Sequence, residues 1–121
     1  MELLTETQKG IFEREGYLVV NDLLDQEEVT YYSHIYNSFL DNTIDATKYR
    51  SDLSGAGDEN GTKENITQIM IPSKLLPEVL EKPLHVKTLK MAKELMGEDI
   101  ELDFDMLINK APNTNTLTPW H

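Results

Sequence analysis

The groups in this chain that could do acid–base or metal chemistry are three histidines and a large excess of carboxylates. His34 flanks an apolar stripe and reads as a surface residue; His85 falls in the first turn of a helix and reads as structural. His121 follows a long alternating segment and a Pro119-Trp120 step, the most deliberate placement of the three. Asp103 and Asp105 stand two apart, so on a strand they point to one side. They could form a metal or acid–base pair, but a solvated strand face is the simpler reading. With no cysteine there is no disulfide framework, zinc-thiolate site or thiol nucleophile. No Gly-rich phosphate loop or Ser elbow is present either.

The charge balance narrows the partners. Twenty-two acidic residues against 11 basic ones give a formal net charge of −11. Such a surface repels nucleic acid and anionic membranes, and it weighs against a polyanionic substrate. The opening MELLTETQKG lacks the basic and apolar regions of a signal peptide. No apolar run approaches the roughly 20 residues needed to span a bilayer. A cytoplasmic protein without nucleic acid or membrane partners is the expectation.

The elements that must position these groups follow from local signals. A chain of 121 residues has the size of one domain. Thr5 with Gln8 forms a capping box for a first helix, which Gly16 ends. Tyr17-Leu18-Val19-Val20 is a short β-type run. Asp25 with Glu28 starts a second helix, whose Val29, Tyr32, Ile35, Tyr36 and Phe39 trace one apolar stripe ending at Asn42. Residues 41–65 are polar and aperiodic and read as a long mobile loop. Ile66–Ile71 reads as a strand closed by Pro72-Ser73. A helix with Pro83 in its first turn follows, with Val86, Leu89, Ala92, Lys93 and Met96 on one side and Gly97 at its end. Ile100, Leu102, Phe104, Met106 and Ile108 then alternate with mostly polar residues, predicting a nine-residue strand with its even positions on a core. The fold class is α+β.

Two blocks of sequence carry a family resemblance. The first is Ile11-Phe12-Glu13-Arg14-Glu15-Gly16-Tyr17-Leu18-Val19-Val20 followed by Asn21-Asp22-Leu23-Leu24. The second is Asp105–Pro112 with Pro119-Trp120-His121. Together they resemble the N-terminal part of the phytanoyl-CoA dioxygenase family of Fe(II)/2-oxoglutarate oxygenases. The resemblance implies a double-stranded β-helix (jelly-roll) with flanking helices, and an enzyme using O₂ to hydroxylate an organic small molecule.

Residue by residue, His121 matches the first histidine of the family's His-x-Asp iron motif. Met106 matches a strand residue that contacts the 2-oxoglutarate co-substrate, although its alternation reads equally as a core position. Gln68 stands where relatives often place a lysine against 2-oxoglutarate; it can donate a hydrogen bond but brings no charge. The family's Asp would fall two residues beyond His121, and its second His and its Arg further on. On this reading the 121-residue polypeptide by itself is expected to be inactive. The alternative function is a non-catalytic remnant or small acidic interaction domain.

Overall fold

The computed structural model of the chain describes residues 1–54 and 64–113. These residues gather into two compact units. One is formed by Met1–Ser33 with Pro77–Asp103; the other by His34–Leu76 with the described part of Phe104–His121. The architecture is α+β, with helices and a small antiparallel sheet.

In the first unit, helix α1 (Glu6–Glu15) begins where the capping box demands. The Gln8 N–H donates to Thr5 Oγ1 at 3.1 Å, and the Thr5 N–H donates to Gln8 Oε1 at 2.8 Å. Gly16 ends the helix with φ of 80°, a left-handed conformation that glycine adopts without a Cβ clash. Helix α2 (Gln26–Leu40) opens on a second reciprocal pair. There the Glu28 N–H donates to Asp25 Oδ1 at 2.8 Å, and the Asp25 N–H to Glu28 Oε2 at 2.9 Å. Tyr17–Val20, predicted as a strand, belongs to no regular element, because no other segment among the described residues pairs with it.

After a short helix α3 (Pro72–Leu75) in the second unit, the chain makes a 3₁₀ turn between Pro77 and Glu81 and enters α4 (Pro83–Met96). Pro83 occupies its first turn, where a missing N–H costs nothing. Lys82 gives no side-chain cap, so the Leu84 N–H is taken by the Tyr32 hydroxyl at 2.9 Å. Lys87 ties the same helix to the start of α2, donating to the Leu23 carbonyl at 2.8 Å and to Glu28 Oε2 at 3.1 Å.

Glu94 of α4 clasps the N-terminal segment. Its carboxylate accepts the N–H groups of Leu3 at 2.6 Å and Leu4 at 2.9 Å, and Leu4 is buried. Burial pushes the Glu94 carboxyl up, but the two backbone donors outweigh it and hold it below its ordinary value. Glu94→Ala should therefore free the segment: amide exchange at Leu3 and Leu4 should accelerate several-fold while α2 stays protected. Unchanged exchange would show that Leu4 burial, the Lys90 donation to the Met1 carbonyl and the Lys9–Glu2 pair hold it without Glu94.

In the second unit, residues expected to be loop are ordered. Thr47–Tyr49 forms a 3₁₀ turn and Arg50–Asp52 forms β1. Residues 55–63 of the expected mobile loop lie outside the described residues. The sheet runs β1–β2–β3, all antiparallel, with β2 at Ile66–Met70 and β3 at Met106–Lys110. The short helix α3 (Pro72–Leu75) follows β2 directly. Its Ser73 N–H and hydroxyl are both taken by the Asp105 carboxylate, at 3.1 and 2.7 Å. Asp105 therefore caps a helix, and Asp103 is exposed in the other unit. The structure does not pair them.

The core of this unit lies under one face of the sheet. Phe39 (1% exposed), Ala46, Ile69 (0%) and Leu107 are its buried centre, and Ile35, Tyr36, Leu40, Ile44, Tyr49, Leu75 and Leu76 pack around them. The predicted phase of the last strand is thereby reversed. Leu107, the odd exception to the alternation, is the core residue, while Leu102, Phe104, Met106 and Ile108 are exposed. Only residues 106–110 form a strand, because only they have a partner, β2. Alternation marks two distinct faces. Which one is covered depends on where α2 lies, and local sequence does not specify that.

Asp52 fastens the end of β1 to the start of β2. It accepts the Ser54 hydroxyl at 2.7 Å, then the N–H groups of Ser54, Ile66 and Asn65. The Ser54 hydroxyl leads these donors in lowering the carboxyl from its ordinary 3.8 to about 2. A depressed carboxyl contributes stability that is complete above the ordinary value and is lost as pH falls through the folded one. The β1–β2 pair should therefore loosen as pH falls from about 3.8 to about 2. NMR of the Ile66 and Asn65 amides would follow this, and Asp52→Asn should flatten the profile. An equal acid response in that variant would place the effect elsewhere.

Candidate functional site

The two co-substrate residues expected from the sequence, Gln68 and Met106, come together on the open face of the sheet. Register does this. Gln68 pairs with Ile108 and Met70 with Met106, so Gln68, Met70, Met106 and Ile108 share the face opposite the core. Met106 is 42% exposed and Ile108 45%. Met106 is thus a surface residue and not a core one.

The Gln68 side chain is held at its centre. Its Nε2 donates to Met106 Sδ at 2.7 Å and to Met70 Sδ at 3.2 Å. Its Oε1 accepts the Ser51 hydroxyl of β1 at 3.3 Å. Thioether sulfur is a weak acceptor, so both N–H donors rest on groups that give them up readily to a stronger one. The surrounding surface is apolar and polarizable. This arrangement can bind a carboxylate or carbonyl oxygen laid across the face, but it has no group that moves a proton.

Ser51 and Met70 were missed by the sequence reading. Ser51 lay in the stretch taken as a loop. Met70 was detectable, because alternation along Ile66–Met70 places it beside Gln68.

His121 lies outside the described residues. His34 is exposed on α2, as expected. Among the described residues no three His, Asp or Glu side chains gather as a metal site. For 2-oxoglutarate the fit is partial: Gln68 and Ser51 supply neutral hydrogen-bonding groups, and the cation that shares their face, Lys110, stands opposite Ile66, one pair along that face from Gln68 and Ile108.

The first unit holds a separate open cleft of about 720 Å³, with His85, Leu89, Lys93, Ile100 and Leu102 among its lining residues. It contains none of the expected co-substrate residues. Its lining mixes apolar side chains with His85, Thr88, Lys93, Glu101 and Asp103. Among the described residues no helix is long and apolar enough to cross a membrane.

No family model, curated protein or solved structure matches the chain.

Proposed function

We propose that this chain is the N-terminal part of an Fe(II)/2-oxoglutarate-dependent dioxygenase, a cytoplasmic hydroxylase of an organic small molecule, built on a double-stranded β-helix. The observation that carries the reading is the meeting of Gln68 with Met106 on one open sheet face, at positions matched to co-substrate contacts from sequence alone. The resemblance of Pro119-Trp120-His121 to an iron motif belongs to the same reading.

Iron held by two imidazoles and a carboxylate would supply the oxidation, in which one atom of O₂ enters succinate as 2-oxoglutarate loses CO₂ and the other turns a C–H bond into C–OH. His121 would be one ligand. On this reading the Gln68 amide leaves the thioethers and donates to a carboxylate of the co-substrate, while Met106 and Ile108 exclude water from that side. Ser51 fixes the Gln68 carbonyl, so the amide presents its N–H side outward.

The test is succinate formation from 2-oxoglutarate, Fe(II) and O₂ by a form of the protein that continues past His121. Gln68→Glu should raise the KM for 2-oxoglutarate at least about tenfold, about 1.4 kcal/mol, by setting a carboxylate against a carboxylate. Gln68→Lys should lower it. No succinate from the unsubstituted protein, or one KM for all three, would remove the reading.

A second reading, a non-catalytic acidic interaction domain, is favoured by the exposed row Phe104, Met106 and Ile108. A surface of that kind commonly marks a binding face. It predicts no succinate and no response to Gln68→Lys.

A further inference from the structure

Tyr17–Val20 has the composition of a β-strand and lacks a strand's partner. It is set off on both sides by left-handed residues, Gly16 at φ of 80° and Asp22 at φ of 54°. Exposure alternates along it: Tyr17 is 65% exposed and Val19 69%, while Leu18 and Val20 are half-buried. Among the described residues its backbone N–H and C=O groups enter no hydrogen bond. An unpaired run of this kind is a template for strand addition, in which a second backbone supplies the hydrogen bonds and alternate side chains supply specificity.

The flanks indicate what would pair with it. Glu13 precedes the segment, and Asp22, Asp25 and Glu27 follow it; none has an ion-pair partner among the described residues. Glu28 is neutralised by Lys87 and does not add to this set. A second copy of the chain would bring the same acidic flanks and a net charge of −11 to the contact. Like charges brought together there oppose association.

We infer that Tyr17–Val20 is an open pairing strand for an extended apolar segment of a separate, basic protein, whose lysines or arginines lie against Glu13 and the Asp22–Glu27 cluster. The site uses neither Gln68 nor Met106.

The experiment titrates the isotopically labelled chain with a synthetic peptide carrying a Val-Thr-Val-Thr-Val centre and two lysines at each end. Chemical-shift changes should concentrate on Gly16–Asp22, and amide exchange at Tyr17–Val20 should slow. The same peptide N-methylated at alternate centre residues, or carrying glutamates in place of lysines, should bind at least about tenfold more weakly. Asp22→Asn combined with Glu27→Gln should weaken the lysine peptide while leaving the cost of N-methylation unchanged; asparagine keeps the left-handed backbone at position 22. Equal binding of the N-methylated peptide, or shifts centred on another segment, would overturn the proposal. Protection of Tyr17–Val20 that rises with protein concentration alone, with a doubled mass, would assign the segment to a second copy and overturn the basic partner.

Discussion

Phe39→Ala is expected to destabilise the second unit by about 3–5 kcal/mol, enough to leave it largely unfolded if its stability lies at the low end for domains. Phe39 and Ile69 are the two largest side chains in the chain's described part that solvent does not reach. Phe39 comes from the last turn of α2 and lies in one cluster with Ala46, Ile69 and Leu107, so its removal opens a void where helix, loop and sheet meet. There is little else to refill it. Seven apolar residues are buried among the described ones, against thirteen large ones exposed, so repacking has few atoms to draw on. Urea unfolding followed by tryptophan-independent circular dichroism should show a lower midpoint with an unchanged slope. Val29→Ala, on an exposed position of the same helix, should change the unfolding free energy by no more than about 0.5 kcal/mol. A Phe39→Ala loss below about 1 kcal/mol would show that the cluster is not the unit's core.

Arg50→Ala should cost about 2–3 kcal/mol, more than any other single polar substitution in the described residues. Helix α2 ends with carbonyls that have no intrahelical partner, and the Arg50 guanidinium reaches two of them, Phe39 O at 3.0 Å and Leu40 O at 3.2 Å. It also donates to Asn42 Oδ1 at 3.1 Å and to Glu64 Oε1 at 2.8 Å from Nε. One side chain thereby joins the end of α2, the left-handed turn at Asn42 and the approach to β2. Truncation would leave the half-buried Glu64 charge and the helix carbonyls without it. Arg50→Lys should recover less than half of the loss, since a single ammonium cannot reproduce the fork. A double-mutant cycle with Glu64→Gln isolates the ion pair. Full recovery by lysine would reduce Arg50 to a surface charge.

The three long helices were legible because their ends are written in few residues, whereas the one-turn α3 was read only as the close of a strand. Thr5 with Gln8, Asp25 with Glu28, Gly16, Asn42, Pro83 and Gly97 each fix a boundary through a hydrogen bond or a dihedral within four residues. The strands depended on distant partners and fared worse. Ile66–Met70 paired as expected. Tyr17–Val20 found no partner, and the predicted nine-residue strand shortened to the five residues that face β2. β1 was hidden because Arg50, Ser51 and Asp52 are polar; their places come from Glu64, Gln68 and Ser54, contacts that composition does not reveal. Of the candidate site, Gln68 and Met106 were named from a resemblance. The Ser51 and Met70 contacts that hold the amide required the register.

The division of the chain has a consequence for how it is made. Residues 34–76 lie between the two segments of the first unit, and residues 77–103 lie between the two segments of the second. Glu94 meets Leu3 and Leu4 across some 90 positions of chain. At a synthesis rate of about 5–20 residues per second, the N-terminal helix emerges several seconds before the helix that clasps it. Ile69 likewise waits for Leu107. Neither unit can close until its second segment has left the ribosome, and the two are completed nearly together, after their apolar faces have spent that interval in water.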